Sequence, residues 1–530
     1  MNGDKQDKQK LAHAAAVRAK KSKKKAWWAF SRSQIIVSVA VVLLAIGYHL
    51  YKNRTSIFGN EKKSQANEAL RIGNIHLEQG DFTTAIYYYE LATRLYPSLT
   101  SAWTNMGTAL TSQMRRMLNK EPIYKRAVQA YEKALEVSPS DVDAAFNLGV
   151  LHQSMENVDL AIPWYKKALS HDPKHFDALG NLGSALHKKS DLDAAIKAYM
   201  EAIEIVRELD QSLVDQQQVS MLYYLAGAAF SSKPAESCGE VNCMEEAVEK
   251  LKLSLQHNPK NEEAKHALSA LIADPNVTAA SNDYISTLFN EYAATFDKSL
   301  VQDLNYTVPQ QMSDVIATVM TQKRVKSFNK VVDVGCGTGL LGPYLRNVST
   351  SLIGIDLSVE MLEYAQQRQV YDMLYIGEIN STLQLWQNKS DTENFRQLDL
   401  ITAADVFVYA GDLQPYFQSA AASLKRNGWF VLSLERLEKN ESAAEDTNAA
   451  EPAAEASGEA KGMKKYSVTD ADLKKGWKLQ LSGRFAHTRA YVVELAKQHH
   501  FQVLYHENII PRKDNMVDVQ GQLLVLQVTK

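Results

Sequence analysis

The chain has 530 residues, 45% of them hydrophobic and 23% charged, an ordinary globular balance whose length suggests about three domains. A formal net charge of −2 gives no whole-chain attraction to nucleic acid, and the one dense basic run lies near the N-terminus. Three cysteines, Cys238, Cys243 and Cys336, are too few for a disulfide framework and short of the usual four-ligand structural zinc site, so no metal is expected.

Residues 1–26 form a basic tail with nine Lys or Arg: Lys5, Lys8, Lys10, Arg18, Lys20, Lys21, Lys23, Lys24 and Lys25. Trp27, Trp28 and Phe30 follow, then an uncharged run of 16 residues from Ile35 to Leu50. Aromatic residues commonly sit at the membrane interface, and a span needs about 20 apolar residues. Residues 27–51 are therefore read as a transmembrane signal-anchor helix, with a cleaved signal peptide or a buried soluble helix as the weaker readings. The basic tail places the N-terminus in the cytosol. Seven Asn-x-Ser/Thr triplets, beginning at Asn53, Asn276, Asn305, Asn347, Asn380, Asn388 and Asn440, are compatible with a lumenal placement of the chain beyond the span. Such triplets also occur freely in cytosolic proteins, and the reading leans to the lumenal side. Residues 52–65 read as a linker.

From Asn67 to about Leu271 the sequence repeats every 34 residues, as in Gly73 and Gly107, Gly149 and Gly183, Ala161 and Ala195, Tyr165 and Tyr199, Ala168 and Ala202, and Pro139 and Pro173. Small residues let two antiparallel helices approach closely. The aromatic fills the gap beside them, and proline closes the second helix. Gly107 to Ala127 is eight residues longer than the matching interval elsewhere. A later insertion holds Cys238 and Cys243, read as two unpaired loop thiols, with pairing in an oxidising compartment as the alternative. This pattern resembles the tetratricopeptide (TPR) family. The resemblance implies about five repeats over residues 66–272, an all-α solenoid whose concave face binds a protein or peptide partner. The alternative is an array that only spaces the chain.

After Pro275 the pattern changes. Helices are expected over Tyr284–Leu304 and Val308–Thr321. The segment VVDVGCGTGLLG, residues 331–342, reads as a buried strand turning through Gly335, Gly337 and Gly339 into a helix. Asp356 ends the next strand, 23 residues after Asp333. A carboxylate there is placed to accept from both hydroxyls of a bound ribose. Further strands are expected at Tyr375–Ile376, Leu398–Ala403, Trp429–Leu434, Gln502–His506 and Leu523–Val528, with a helix at Tyr491–His499. Alternating helices and strands imply a mostly parallel sheet covered on both faces. Residues 438–465, rich in Ala and Glu, are read as a disordered insertion.

The Asp-x-Gly-x-Gly-x-Gly motif with its spaced Asp resembles the class I S-adenosylmethionine-dependent methyltransferases. The resemblance implies a Rossmann-like α/β domain with a mostly parallel seven-stranded sheet over residues 331–530, preceded at 276–330 by a helical lead-in that closes over the cofactor. It also implies S-adenosyl-L-methionine as cofactor, held by Asp333, Gly335, Gly337, Gly339, Asp356, Met361, Glu378, Asp405 and Tyr292. For Tyr292 and Phe296, ordinary helix packing is the equal alternative. LFNEYAATFDKSLVQDLNY at 288–306 and SGRFAHTRAY at 482–491 resemble a narrower group of predicted methyltransferases fused to TPR repeats. If the acceptor must lose a proton, the candidate catalytic residues are His487, Arg484 and Asp405. His suits a base near neutral pH, though a structural histidine is the simpler reading. Arg484 is placed either to clamp a substrate carboxylate or to cap a helix. Asp405 fits pocket shaping better than proton transfer. Two other readings are weaker: a non-catalytic TPR scaffold with a cofactor-binding pseudomethyltransferase domain, and a nicotinamide oxidoreductase, which the glycine spacing disfavours.

Overall fold

The computed structural model describes residues 48, 60–115, 117, 120–209, 214–234, 237–238, 241–388, 397–438, 468–514 and 517–530. The expected membrane span at 27–51, apart from Tyr48, and nearly all of the insertion at 438–465 lie outside the described residues. Among the described residues, no helix is long and apolar enough to cross a membrane. The chain divides into two compact units between Ala185 and Leu186.

The first unit is helical. Residues 60–78 pair with Phe82–Leu95, Thr100–Met114 with Glu121–Val137, and Val142–Ser154 with Val158–His171. The repeated glycine and aromatic meet as their spacing implies. A Cβ on Gly73, Gly107 or Gly149 would lie 2.6–2.7 Å from the ring of Tyr89, Tyr131 or Tyr165 respectively. Each ring is buried and its hydroxyl is satisfied: Tyr89 donates to Asn74 Oδ1 at 2.9 Å, Tyr165 to Gln153 Oε1 at 2.7 Å, and Tyr131 to Thr108 Oγ1 at 3.3 Å. Asp81 and Asp141 cap their helices by accepting from Thr84 and Ala144 N–H, each worth about 1 kcal/mol. The eight extra residues of the second pair are spread along it: two lengthen the first helix, three the connection and three the start of the second helix.

The second unit opens with helices Leu192–Glu208, Gln216–Ser231, Cys243–His257 and Glu262–Ile272. Cys238 and Cys243 form a disulfide, contrary to the reading of two free thiols; it closes the loop ahead of Cys243–His257 with Cys243 fully buried. In the chain, Phe176–Lys188 precedes Leu192–Glu208, and Gln216–Ser231 packs on Cys243–His257 as a further helical pair.

Among the described residues, the main sheet of the α/β part has nine strands: β1 (Phe328–Val334), β2 (Ser349–Asp356), β3 (Met373–Ile376), β4 (Leu398–Ala403), β5 (Leu424–Arg436), β6 (Trp477–Leu479), β7 (Phe485–His487), β8 (Phe501–Ile509) and β9 (Gly521–Val528). The main path runs β3-β2-β1-β4-β5-β9-β8, parallel except for β9, which is antiparallel to both neighbours. Seven strands were expected; the additional β6–β7 hairpin pairs through Ala486 and His487 with the end of β5. All three residues of β7 are buried, so its alternation signal is absent from the sequence.

Central strands bury both faces, as parallel strands do. Val332, Val334 and Ile355 join one core cluster, while Val331, Leu352, Leu400 and Val431 join the other. The helix Val308–Lys323 covers the second cluster with Val308, Met312, Val315, Ile316 and Val319. The expected helix at 284–304 is broken instead into Asn282–Tyr292, a turn at Phe296–Lys298 and a π-helical turn at Ser299–Asp303.

Candidate active site

The strand order reverses between β1 and β4, and open α/β sheets bind ligands at the carboxyl ends of strands on either side of such a switch. A cavity of about 400 Å³ lies there, within the roughly 300–1,000 Å³ of small-molecule sites. Its rim on one side is the lead-in, through Tyr284, Leu288, Phe289, Tyr292 and Phe296.

Gly335, Gly337 and Gly339 have φ of +62, +55 and +81°, a region that side chains disfavour. They differ in use. A Cβ on Gly335 would lie 2.6 Å from Val406, so this position is tight as well as left-handed. At Gly337 the nearest atom would be on Phe296, 3.9 Å away, and the space belongs to the cavity. Gly339 does not line the cavity; its missing side chain makes room for Tyr371, 2.9 Å from where a Cβ would be.

Asp356 faces the cavity from the end of β2. Its Oδ2 accepts from Gly337 N–H at 2.8 Å and its Oδ1 from Ser358 N–H at 2.9 Å. Each oxygen keeps a second lone pair for a ligand hydroxyl. Burial raises the carboxyl above its ordinary range, opposed by these backbone donors. Met361 is buried in the wall, on the first turn of the helix Val359–Gln367 that Ser358 caps. Glu378 lines the cavity and accepts from Asn380 N–H at 2.9 Å and Ser381 N–H at 2.6 Å, fixing its carboxylate at the start of the next helix. Tyr292 reaches the cavity while remaining 46% exposed.

Asp333 is not on the main cavity. It lines a smaller adjoining recess, its Oδ2 accepting from Tyr371 Oη and its Oδ1 from Thr402 Oγ1, both at 2.8 Å. Burial pushes its carboxyl up to about 6. It ties β1 to β4 and to the segment carrying Tyr371, a bracing role in place of the ligand contact expected of it.

His487 is also placed elsewhere than expected. It is fully buried on β7, with Nε2 3.0 Å from Gly411 O and its ring stacked on Tyr491, and it does not line the cavity. Burial lowers it to about 4. A histidine held in that environment is a neutral structural group.

Asp405 and Arg484 do line the cavity. Asp405, at φ +57°, accepts from Ser433 Oγ at 3.2 Å and pairs with Arg512 at 2.8 Å. Arg512 also pairs with buried Glu435, which Arg484 approaches only at 3.9 Å. Arg512 and Glu435 carry no local sequence signal, because 77 residues separate them. The lead-in is pinned to the glycine turn by Asp297, which accepts from Thr338 Oγ1 and pairs with Arg368; Arg368 Nε also donates to Thr338 O at 2.6 Å. The FDK triplet containing Asp297 gave no sign of this contact.

Residues 332–430 match a family model described as a methyltransferase domain, and residues 141–208 and 69–99 match two described as tetratricopeptide repeats. The ubiquinone biosynthesis O-methyltransferase of Haemophilus ducreyi is 31% identical over 104 residues, which cover 20% of this chain and 44% of that protein. The mitochondrial ubiquinone biosynthesis O-methyltransferase of Bos taurus is 33% identical over 125 residues, 23% of this chain and 33% of that protein. The chain thus spans less than half the length of these relatives. Among solved structures, the magnesium protoporphyrin IX methyltransferase of Synechocystis with bound SAH is 14% identical, covers 47% of this chain and 100% of that one, and has a TM-score of 0.32.

Proposed function

We propose that this chain, which carries a methyltransferase domain and tetratricopeptide repeats, transfers a methyl group from S-adenosylmethionine to an acceptor bound in the cavity beside β1 and β4, and that its repeats hold a protein or peptide partner. The observation that carries the reading is the Asp356 carboxylate, which lines the cavity at the end of β2 and is braced by Gly337 and Ser358 N–H.

The residues present fit the cofactor. Asp356 suits a ribose diol, Glu378 an adenine amino group, and Met361 the adenine face; the side-chain-free surface at Gly337 admits close approach. S-adenosylmethionine, when bound, supplies an electrophilic methyl group. The chain's own residues orient it. Phe289 and Phe296 pack edge-to-face at 6.0 Å on the lead-in side and exclude water from that wall, while Asp297 holds the lead-in against the turn. Orientation of this kind is worth roughly 7–11 kcal/mol in well-aligned systems.

Asp356→Ala is expected to abolish S-adenosylhomocysteine binding in calorimetry of the full chain. Because Asp356 also braces the turn, Glu378→Gln serves as a second probe, expected to weaken binding about tenfold while costing about 1 kcal/mol of stability through the one backbone bond its amide cannot accept. Unaltered affinity in both variants refutes the assignment.

The reading also places the N-terminal tail in the cytosol, residues 27–51 in a membrane and the rest in an oxidising lumen. The Cys238–Cys243 disulfide supports that side, because disulfides persist in oxidising compartments. Resistance of the expressed protein to glycosidase and full alkylation of both thiols without reductant would move it to the cytosol.

A further inference from the structure

Two groups of side chains share the cavity. One is the set around Asp356, Met361 and Glu378. The other is Tyr284, Leu288, Phe289, Tyr409 and Arg484. Within it, Phe289 meets Tyr409 edge-on at 5.6 Å, and Tyr409 and Arg484 line the same wall. This second group is an apolar and aromatic slot with one cation in it.

The charges around that cation are unevenly shared. Two acids, Asp405 and Glu435, face two guanidinium groups, Arg512 and Arg484. Arg512, only 3% exposed, takes both acids in direct pairs. Arg484 is left with a 3.9 Å approach to Glu435, and its side chain is 27% exposed on the cavity side. A guanidinium has five N–H donors in a fork that matches a carboxylate. Meanwhile, among the described residues, each carboxylate lining the cavity is engaged: Asp356 by Gly337 and Ser358 amides, Glu378 by Asn380 and Ser381 amides, and Asp405 by Arg512 and Ser433. An ammonium or phenol must lose a proton before it attacks a methyl group. A carboxylate, ionised above about pH 4, needs no base.

We propose that the acceptor is a small carboxylic acid with an apolar body, that Arg484 clamps its carboxylate, and that the product is a methyl ester. The inference rests on the S-adenosylmethionine reading above. One carboxylate oxygen uses a lone pair to bond the methyl carbon. The carbon–sulfur bond breaks and its electron pair stays on sulfur. A sulfonium and a carboxylate become a neutral thioether and a neutral ester, and no proton moves. A fork–fork contact on one edge leaves the other lone pairs of the carboxylate free to attack.

The test uses the full chain, methyl-labelled S-adenosylmethionine and matched probes: cinnamate and octanoate, their amides and alcohols, and octylamine. The expected result is label on the acids alone, released as methanol by mild alkali. Arg484→Gln should raise KM for the acid about tenfold to a hundredfold and leave S-adenosylhomocysteine affinity within about twofold. Should that variant not fold, Arg484→Lys, which keeps the charge and loses the fork, should raise KM less but in the same direction. Alkali-stable label on an amide, alcohol or amine overturns the proposal. So does failure to methylate either acid while S-adenosylhomocysteine still binds, or an Arg484 variant that weakens the cofactor as much as the acid. Loss of S-adenosylhomocysteine binding by the unaltered chain would instead remove the underlying reading.

Discussion

The repeats and the turn after β1 both depend on glycine, for different physical reasons. In the repeats, Gly73, Gly107 and Gly149 sit in helices, and what matters is the absent Cβ facing a tyrosine ring. In the turn, Gly335, Gly337 and Gly339 have positive φ, and what matters first is backbone conformation. The difference teaches where substitution is tolerated. Both kinds of glycine leave room for a close neighbour, but only a left-handed residue adds backbone strain that no shift of the neighbour can relieve.

Gly335→Ala should have the largest effect, since it combines strain at φ +62° with a contact 2.6 Å from Val406. Backbone strain of roughly 1–3 kcal/mol and overpacking of similar size suggest about 3–5 kcal/mol lost in urea unfolding, with S-adenosylhomocysteine binding lost as well. Preserved binding would mean that the turn tolerates side chains as the repeats do.

Asp333 sharpens the contrast through pH. Its folded-state carboxyl, raised to about 6, lies above the unfolded value near 3.9. The folded state therefore binds the proton more tightly, and stability from this group declines as pH rises from about 4 through 6. The full loss is about 3 kcal/mol. Asp333→Asn should flatten that decline in unfolding measured at acid and neutral pH; an unchanged slope would assign it to another group.

Gly107→Ala should have the smallest effect, about 1–2 kcal/mol, because crowding of Tyr131 is partly offset by better helix propensity. Cofactor affinity should not change. A larger loss than Gly335→Ala would invert the comparison.

The repeats were legible because their signal is periodic and local. Tyr165 meets Gly149 in the fold as their fixed spacing implied. Asp356, Met361 and Glu378 were legible because strand, turn and helix place them in sequence order. Two misplaced residues share a cause, which is reading residue type without direction. Asp333 stands in the motif, but its side chain points to Tyr371 and Thr402. His487 has suitable chemistry, but β7 buries it. Arg512, Glu435 and Asp297 act across 77, 107 or 41 residues, distances over which sequence spacing carries no information.

The helix Glu262–Ile272, counted in the sequence with the repeats, also backs segments that line the cavity. His266 stacks on Tyr284 at 4.5 Å and its Nε2 lies 2.6 Å from Gly483 O, next to Arg484; Ala270 shares a core with Trp477, Leu479 and Phe485. An expression boundary drawn at residue 276, where the lead-in was expected to begin, would remove the support behind Tyr284 and Gly483. A fragment that keeps the cavity walls as they stand has to start upstream of Glu262.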